Sequence, residues 1–124
     1  MNERKNLIQD KTFDFALMII EVYKKMIEKN EYVLSKQLVR SGTSIGANVE
    51  EAIAAFTKKD FVHKMSISTK EARETRYWLR LLMASNLVDI DMRPCVSEVE
   101  EVLNILTAIV KTSQKNISDE AKQI

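Results

Sequence analysis

The segment from Arg40 to Ala52, Arg-Ser-Gly-Thr-Ser-Ile-Gly-Ala-Asn-Val-Glu-Glu-Ala, constrains this chain more than any other. It holds both glycines of the chain, Gly42 and Gly46, among Ser41, Thr43, Ser44, Ala47 and Asn48. Glycine costs a helix about 1 kcal/mol relative to alanine, and Ser, Thr and Asn roughly half that. Yet Leu34, Leu38, Ile45, Val49, Ala52 and Phe56 recur through it at helical spacing. Poor propensity beneath an unbroken apolar stripe describes a helix held by its neighbours. Gly42 and Gly46 share one face, where another backbone can come close. We expect Gly46 to abut another helix, with the small residues of the third helix as the receiving surface. An added methyl at Gly46 would then clash.

The rest of the chain reads as helix. A single proline and two glycines leave few breaks, and no strand-like alternation is present. The fold class is all-α: an antiparallel up-down-up-down four-helix bundle in one domain of 124 residues. Its core is expected over about residues 10–115, with tails at 1–9 and 116–124. The first helix runs from about Thr12 to Lys29 and carries two apolar stripes. Phe13, Ala16, Leu17, Ile20, Tyr23 and Ile27 make one; Phe15, Ile19, Val22 and Met26 make the other. Two stripes exceed what one core needs. The second helix spans about Tyr32 to Phe56. Thr57-Lys-Lys-Asp60 has capping-box spacing, with Asp in place of the usual Glu or Gln. The third helix follows to about Ser85, with Phe61, Met65, Ser68, Ala72, Thr75, Leu79 and Leu82 along its stripe. The fourth starts near Pro94, which suits a helix's first turn, or at Ser97-Glu-Val-Glu100, a second possible start, and ends near Ser113. Its inward residues are Val99, Val102, Leu103, Leu106, Ile109 and Val110.

Net charge is +1, which gives no global argument for a nucleic-acid partner. Locally, residues 58–80 hold seven Lys and Arg against three Asp and Glu, a surplus of four. Lys58, Lys59, Lys64, Lys70, Arg73, Arg76 and Arg80 are therefore the nucleic-acid candidates, with Tyr77 placed to stack on a base. Arg73, Arg76 and Arg80 share a helical face. A solvated or interhelical face is the competing reading of the same cations. Arg40, Glu71 and Glu74 are expected to pair across the second and third helices and fix register, with Asn48 and Glu51 extending that network.

No catalytic residue stands out. Ser41 and Ser44 have no base nearby in sequence, and Gly42-x-x-x-Gly46 lacks both the Lys and the preceding strand of a phosphate loop. His63 and Cys95 are too few for zinc, so no metal and no cofactor are expected. The lone Cys95 fits a reducing, cytoplasmic setting. No apolar stretch reaches membrane-spanning length.

Gln37 to Asn48, with Glu51-Ala52, resemble the signature of a bacterial four-helix-bundle family. Phe61, Lys70-Glu71-Ala72, Glu74-Thr75 and Tyr77-Trp78-Leu79 resemble its second block. That family comprises proteins encoded within intervening sequences of 23S ribosomal RNA, some misnamed ribosomal proteins. It is similar in fold to the accessory variability determinant of diversity-generating retroelements. The resemblance implies a ring-like homopentamer, no established catalysis, and a role with RNA or DNA. On these grounds the chain is expected to be a non-catalytic oligomeric binding protein of low sequence specificity. The alternative is a protein-interaction scaffold or accessory subunit, bound through the surplus stripe of the first helix.

Overall fold

The computed structural model describes residues 3–123. Four helices follow one another: α1 (Glu3–Glu28), α2 (Leu34–Ile53), α3 (Lys58–Ser85) and α4 (Arg93–Lys122). Contacts join α1 to α2, α2 to α3, α3 to α4 and α4 back to α1, with none across the diagonals among the described residues. This is the antiparallel four-helix bundle expected of short connections. The seam between α2 and α3 is the densest and that between α1 and α4 the sparsest.

The turns follow from their residues. Asn30 and Asn86 take left-handed backbone angles (φ 63° and 52°), which asparagine tolerates better than most side chains. The Glu31 carboxylate accepts hydrogen bonds from the backbone N–H groups of Val33, Leu34 and Ser35, the last at 2.7 Å. It thereby satisfies donors that the start of α2 leaves without intrahelical partners. Thr57 caps α3, its hydroxyl accepting from the Asp60 N–H at 3.0 Å. Pro94 lies in the first turn of α4, as anticipated.

Both outer helices are longer than the sequence reading allowed. α1 begins at Glu3 because Ile8 and Thr12 continue the buried stripe of Phe15, Ile19, Val22 and Met26. Gln9 also reaches Glu50 on α2 at 2.9 Å. α4 continues to Lys122, well past Ser113, with Ile117 half-buried and Glu120 paired to Lys58. The stretches expected as tails are thus helical within the described residues.

The glycine face meets a different helix from the one expected. A methyl built on Gly42 would lie 2.8 and 2.9 Å from Cγ2 and Cγ1 of Ile19 on α1. One built on Gly46 would lie 3.4 Å from the Thr12 carbonyl oxygen, also on α1. The small residues of α3 meet another face of α2. Ser68 donates to the Ile45 carbonyl at 2.8 Å, and Thr75 donates to the Ser41 hydroxyl at 2.9 Å. Two adjoining small-residue faces let α2 approach both neighbours closely. Gly46 does sit against a helix, but at ordinary contact distance; the tight position is Gly42. Gly46→Ala is therefore expected to be neutral or to stabilise by up to about 1 kcal/mol through helix propensity. A lower urea midpoint for Gly46→Ala would contradict this.

Candidate nucleic-acid interface

α3 is 28 residues long, about 42 Å at 1.5 Å per residue. Its inner face buries Met65, Ser68, Thr69, Ala72, Thr75, Leu79 and Leu82. The side chains between them must point toward α2, toward α4 or outward. Glu71, Glu74 and Trp78 lie on the α2 side. Arg40 Nη1 is 3.3 Å from Glu71 Oε2, and Nη2 bonds Glu74 Oε2. Trp78 Nε1 donates to that same Glu74 oxygen at 3.1 Å. Arg40, Glu71 and Glu74 are therefore brought together as expected, and Trp78 joins them. Asn48 and Glu51 do not: Asn48 donates to the Ser44 carbonyl on its own helix at 2.8 Å, and Glu51 is exposed with no ion pair among the described residues.

This cluster spans two helices and is only partly solvated. Such a pair contributes little net stability, but losing one partner strands the other. The hydroxyls nearby are similarly committed. Ser41 donates to the Leu38 carbonyl and Ser44 to the Arg40 carbonyl.

The candidate cations separate into groups. Lys58 is paired with Glu120. Lys64 is half-buried and lies nine residues before Arg73, about two and a half turns. It therefore projects from the opposite side of α3. Lys59, Lys70, Arg73, Tyr77 and Arg80 are exposed on the remaining face, with Arg76 half-buried at its edge toward α4. Among the described residues no carboxylate lies within ion-pair distance of Lys70, Arg73, Arg76 or Arg80. Tyr77 is 57% exposed, its ring held edge-on to Trp78 with centroids 5.2 Å apart. A row of unneutralised cations beside a presented aromatic ring suits a phosphate backbone with unstacked bases.

The other features have different chemistry. His63 is exposed near the start of α3, and Cys95 is buried near the start of α4. In antiparallel neighbours these positions lie at opposite ends of the bundle. Burial raises the Cys95 thiol above its usual pKa and so disfavours the reactive thiolate. A cleft of about 570 Å³ opens where the α2–α3 turn meets the end of α4. Ile53, Phe61 and Ile109 give it an apolar floor, exposed Phe56 stands at its edge, and Asp119 and Glu120 line its rim, which does not favour phosphate. No helix of the described chain is long and apolar enough to cross a membrane.

Helix order, seams and the polar α2–α3 cluster define an all-α four-helix bundle with one lateral cationic face. The chain belongs to the 23S rRNA-intervening sequence protein family, which it matches over residues 4–108. It is similar to a crystal structure from Bacteroides thetaiotaomicron, described as a protein of unknown function from the S23 ribosomal protein family. The two share 40% identity over 87% of this chain and 98% of that one, with a TM-score of 0.82. No curated protein gives a significant match.

Proposed function

We propose that this chain is a non-catalytic, homo-oligomeric bundle that binds RNA with low sequence specificity through the outer face of α3. The observation that carries the reading is the row of Lys70, Arg73, Arg76 and Arg80, with no carboxylate at ion-pair distance among the described residues, beside exposed Tyr77. Membership in a family named for an intervening sequence of 23S rRNA is consistent with it. Net charge of +1 limits what one copy can do. A ring of five copies would repeat the face, and repetition converts a weak contact into a useful one. A buried lone cysteine accords with a cytoplasmic setting.

The test is a salt titration. Each neutralised phosphate contributes about 0.7 to the salt slope of log affinity on single strands. Replacing Arg73, Arg76 and Arg80 with Gln should remove up to about 2 units of slope per site. Circular dichroism should be unchanged, because no ion pair holds those side chains. Failure of the wild-type protein to bind RNA at low salt, or an unchanged slope in the triple variant, would refute the reading.

A second reading has its own support. Phe13 is 61% and Leu17 49% exposed on α1. If α3 does not bind RNA, this apolar stripe makes the bundle a protein-interaction scaffold or accessory subunit.

A further inference from the structure

The seams of the bundle differ in how their charges are balanced. On the α1–α4 seam, Lys11 Nζ lies 2.7 Å from Glu98 and 3.5 Å from Glu101. Those carboxylates hold its proton more tightly, the Glu98 hydrogen bond foremost. On the α2–α3 seam, Arg40 has Glu71 and Glu74. Where α3 starts and α4 ends, Lys58 has Glu120. Along the middle of the α3–α4 seam the pattern stops. A groove of about 200 Å³ runs there between the two helices, with Arg73 on one wall and Lys111 on the other. No carboxylate lines it.

The remaining polar lining is made of groups able to donate. Ser66 stands on the α3 wall, and Thr107 and Gln114 stand on the α4 wall. The side chains of Ser66, Arg73, Thr107, Lys111 and Gln114 make no hydrogen bond or ion pair within the described chain. Thr69, also in the lining, is already committed to the Met65 carbonyl. Two cations, two hydroxyls and an amide thus line one groove in which the described chain supplies no acceptor for them. At about 30 Å³ per water the groove holds several waters, room enough for a tetrahedral oxyanion. Such an anion would accept from both walls at once and supply the counter-charge that the α1–α4 and α2–α3 seams carry internally.

We propose that this groove is a phosphate subsite, filled by one phosphodiester of an RNA strand running along α3. The inference rests on the function proposed above and adds Ser66, Thr107, Lys111 and Gln114 to the interface. It gives the strand a direction: from Arg80 and Arg76 along the α4 edge of α3 to Arg73 and into the groove.

Two probes on the full chain test it. The first is inorganic phosphate, compared with chloride at matched ionic strength and followed by NMR. Phosphate should shift the resonances of Ser66, Arg73, Thr107, Lys111 and Gln114. Arg73→Gln combined with Lys111→Gln should abolish the shifts. The second is a single-stranded RNA oligonucleotide titrated across salt. The same double variant should lose about 0.7 of slope, one phosphate's share. Lys24→Gln with Lys25→Gln removes equal charge from exposed positions of α1, diagonal to α3, and should lose none. Thr107→Glu keeps both cations but gives them an internal carboxylate, and should lower the slope as the double variant does. Absent groove shifts with phosphate, or shifts that persist in the double variant, would overturn the subsite. A full RNA slope in both groove variants would overturn it too, while leaving RNA binding by Arg76 and Arg80 intact. Wild-type protein that binds no RNA would instead end the proposed function, and the subsite with it.

Discussion

Gly42→Ala is expected to destabilise the bundle by about 1–2 kcal/mol, although alanine is the better helix former. The new methyl would fall 2.8 Å from Ile19 Cγ2 and 2.9 Å from Cγ1. Ile19 is fully buried, and a β-branched side chain in a helix has one strongly preferred rotamer. It cannot swing away, so α1 and α2 must separate slightly. Overpacking of this kind costs roughly 1–3 kcal/mol, and propensity returns up to about 1. A double-mutant cycle isolates the contact. Ile19→Ala alone should cost about 2–5 kcal/mol through the cavity it leaves. Adding Gly42→Ala partly fills that cavity, so the double variant should be more stable than the sum of the singles, by about 0.5–3 kcal/mol. Additive effects in urea denaturation would show that the Gly42–Ile19 approach is not what the helix pair depends on.

Phe13→Glu with Leu17→Glu is expected to dissociate the proposed ring into monomers of 14.3 kDa, read by light scattering. Phe13 and Leu17 are 61% and 49% exposed, one turn apart on the outer side of α1. Large apolar groups clustered on a surface mark an interaction site more often than chance placement does. Covering each such side chain contributes on the order of 1.5–3 kcal/mol. The substitution removes two of these per copy and sets like charges against one another at the joint. Helix content should be retained, since neither side chain belongs to the buried core. RNA affinity should fall with the mass, although no residue of α3 has changed, because the repeated faces are no longer linked. An assembly that keeps its mass would show that this stripe is not the joint between copies.

The four helices were legible because their buried residues recur at helical spacing. Phe15, Ile19, Val22 and Met26 on α1, and Val99, Val102, Leu103, Leu106 and Ile109 on α4, are the residues that the periodicity picks out and that the structure buries. The ends were harder to read. Leu7-Ile8 and Ile117 are short apolar islands in polar surroundings, and only contact with neighbouring helices shows that the helix reaches them. Which helix receives Gly42 was not readable at all. Gly42 and Gly46 lie on one face of α2, Ser41 and Ile45 on the next, and both faces are lined with small groups. Local spacing finds the faces; only the order of helices around the bundle assigns their neighbours. The Arg40–Glu71–Glu74 pairing was readable because isolated charges amid apolar and small residues need partners. Lys111 and its groove were not, since nothing local links a lysine on α4 to an arginine 38 positions earlier.

The thin seam between α1 and α4 sets where the bundle yields first. Opening there separates the first and last helices while leaving the hydroxyl contacts of α2 with α3 intact. Native-state hydrogen exchange should therefore resolve two cooperative units. Amides of α1 and α4 would exchange through a partial opening, and those of α2 and α3 only through global unfolding. If α1 also forms the joint between copies, assembly would latch that seam, and exchange from α1 would slow as protein concentration rises.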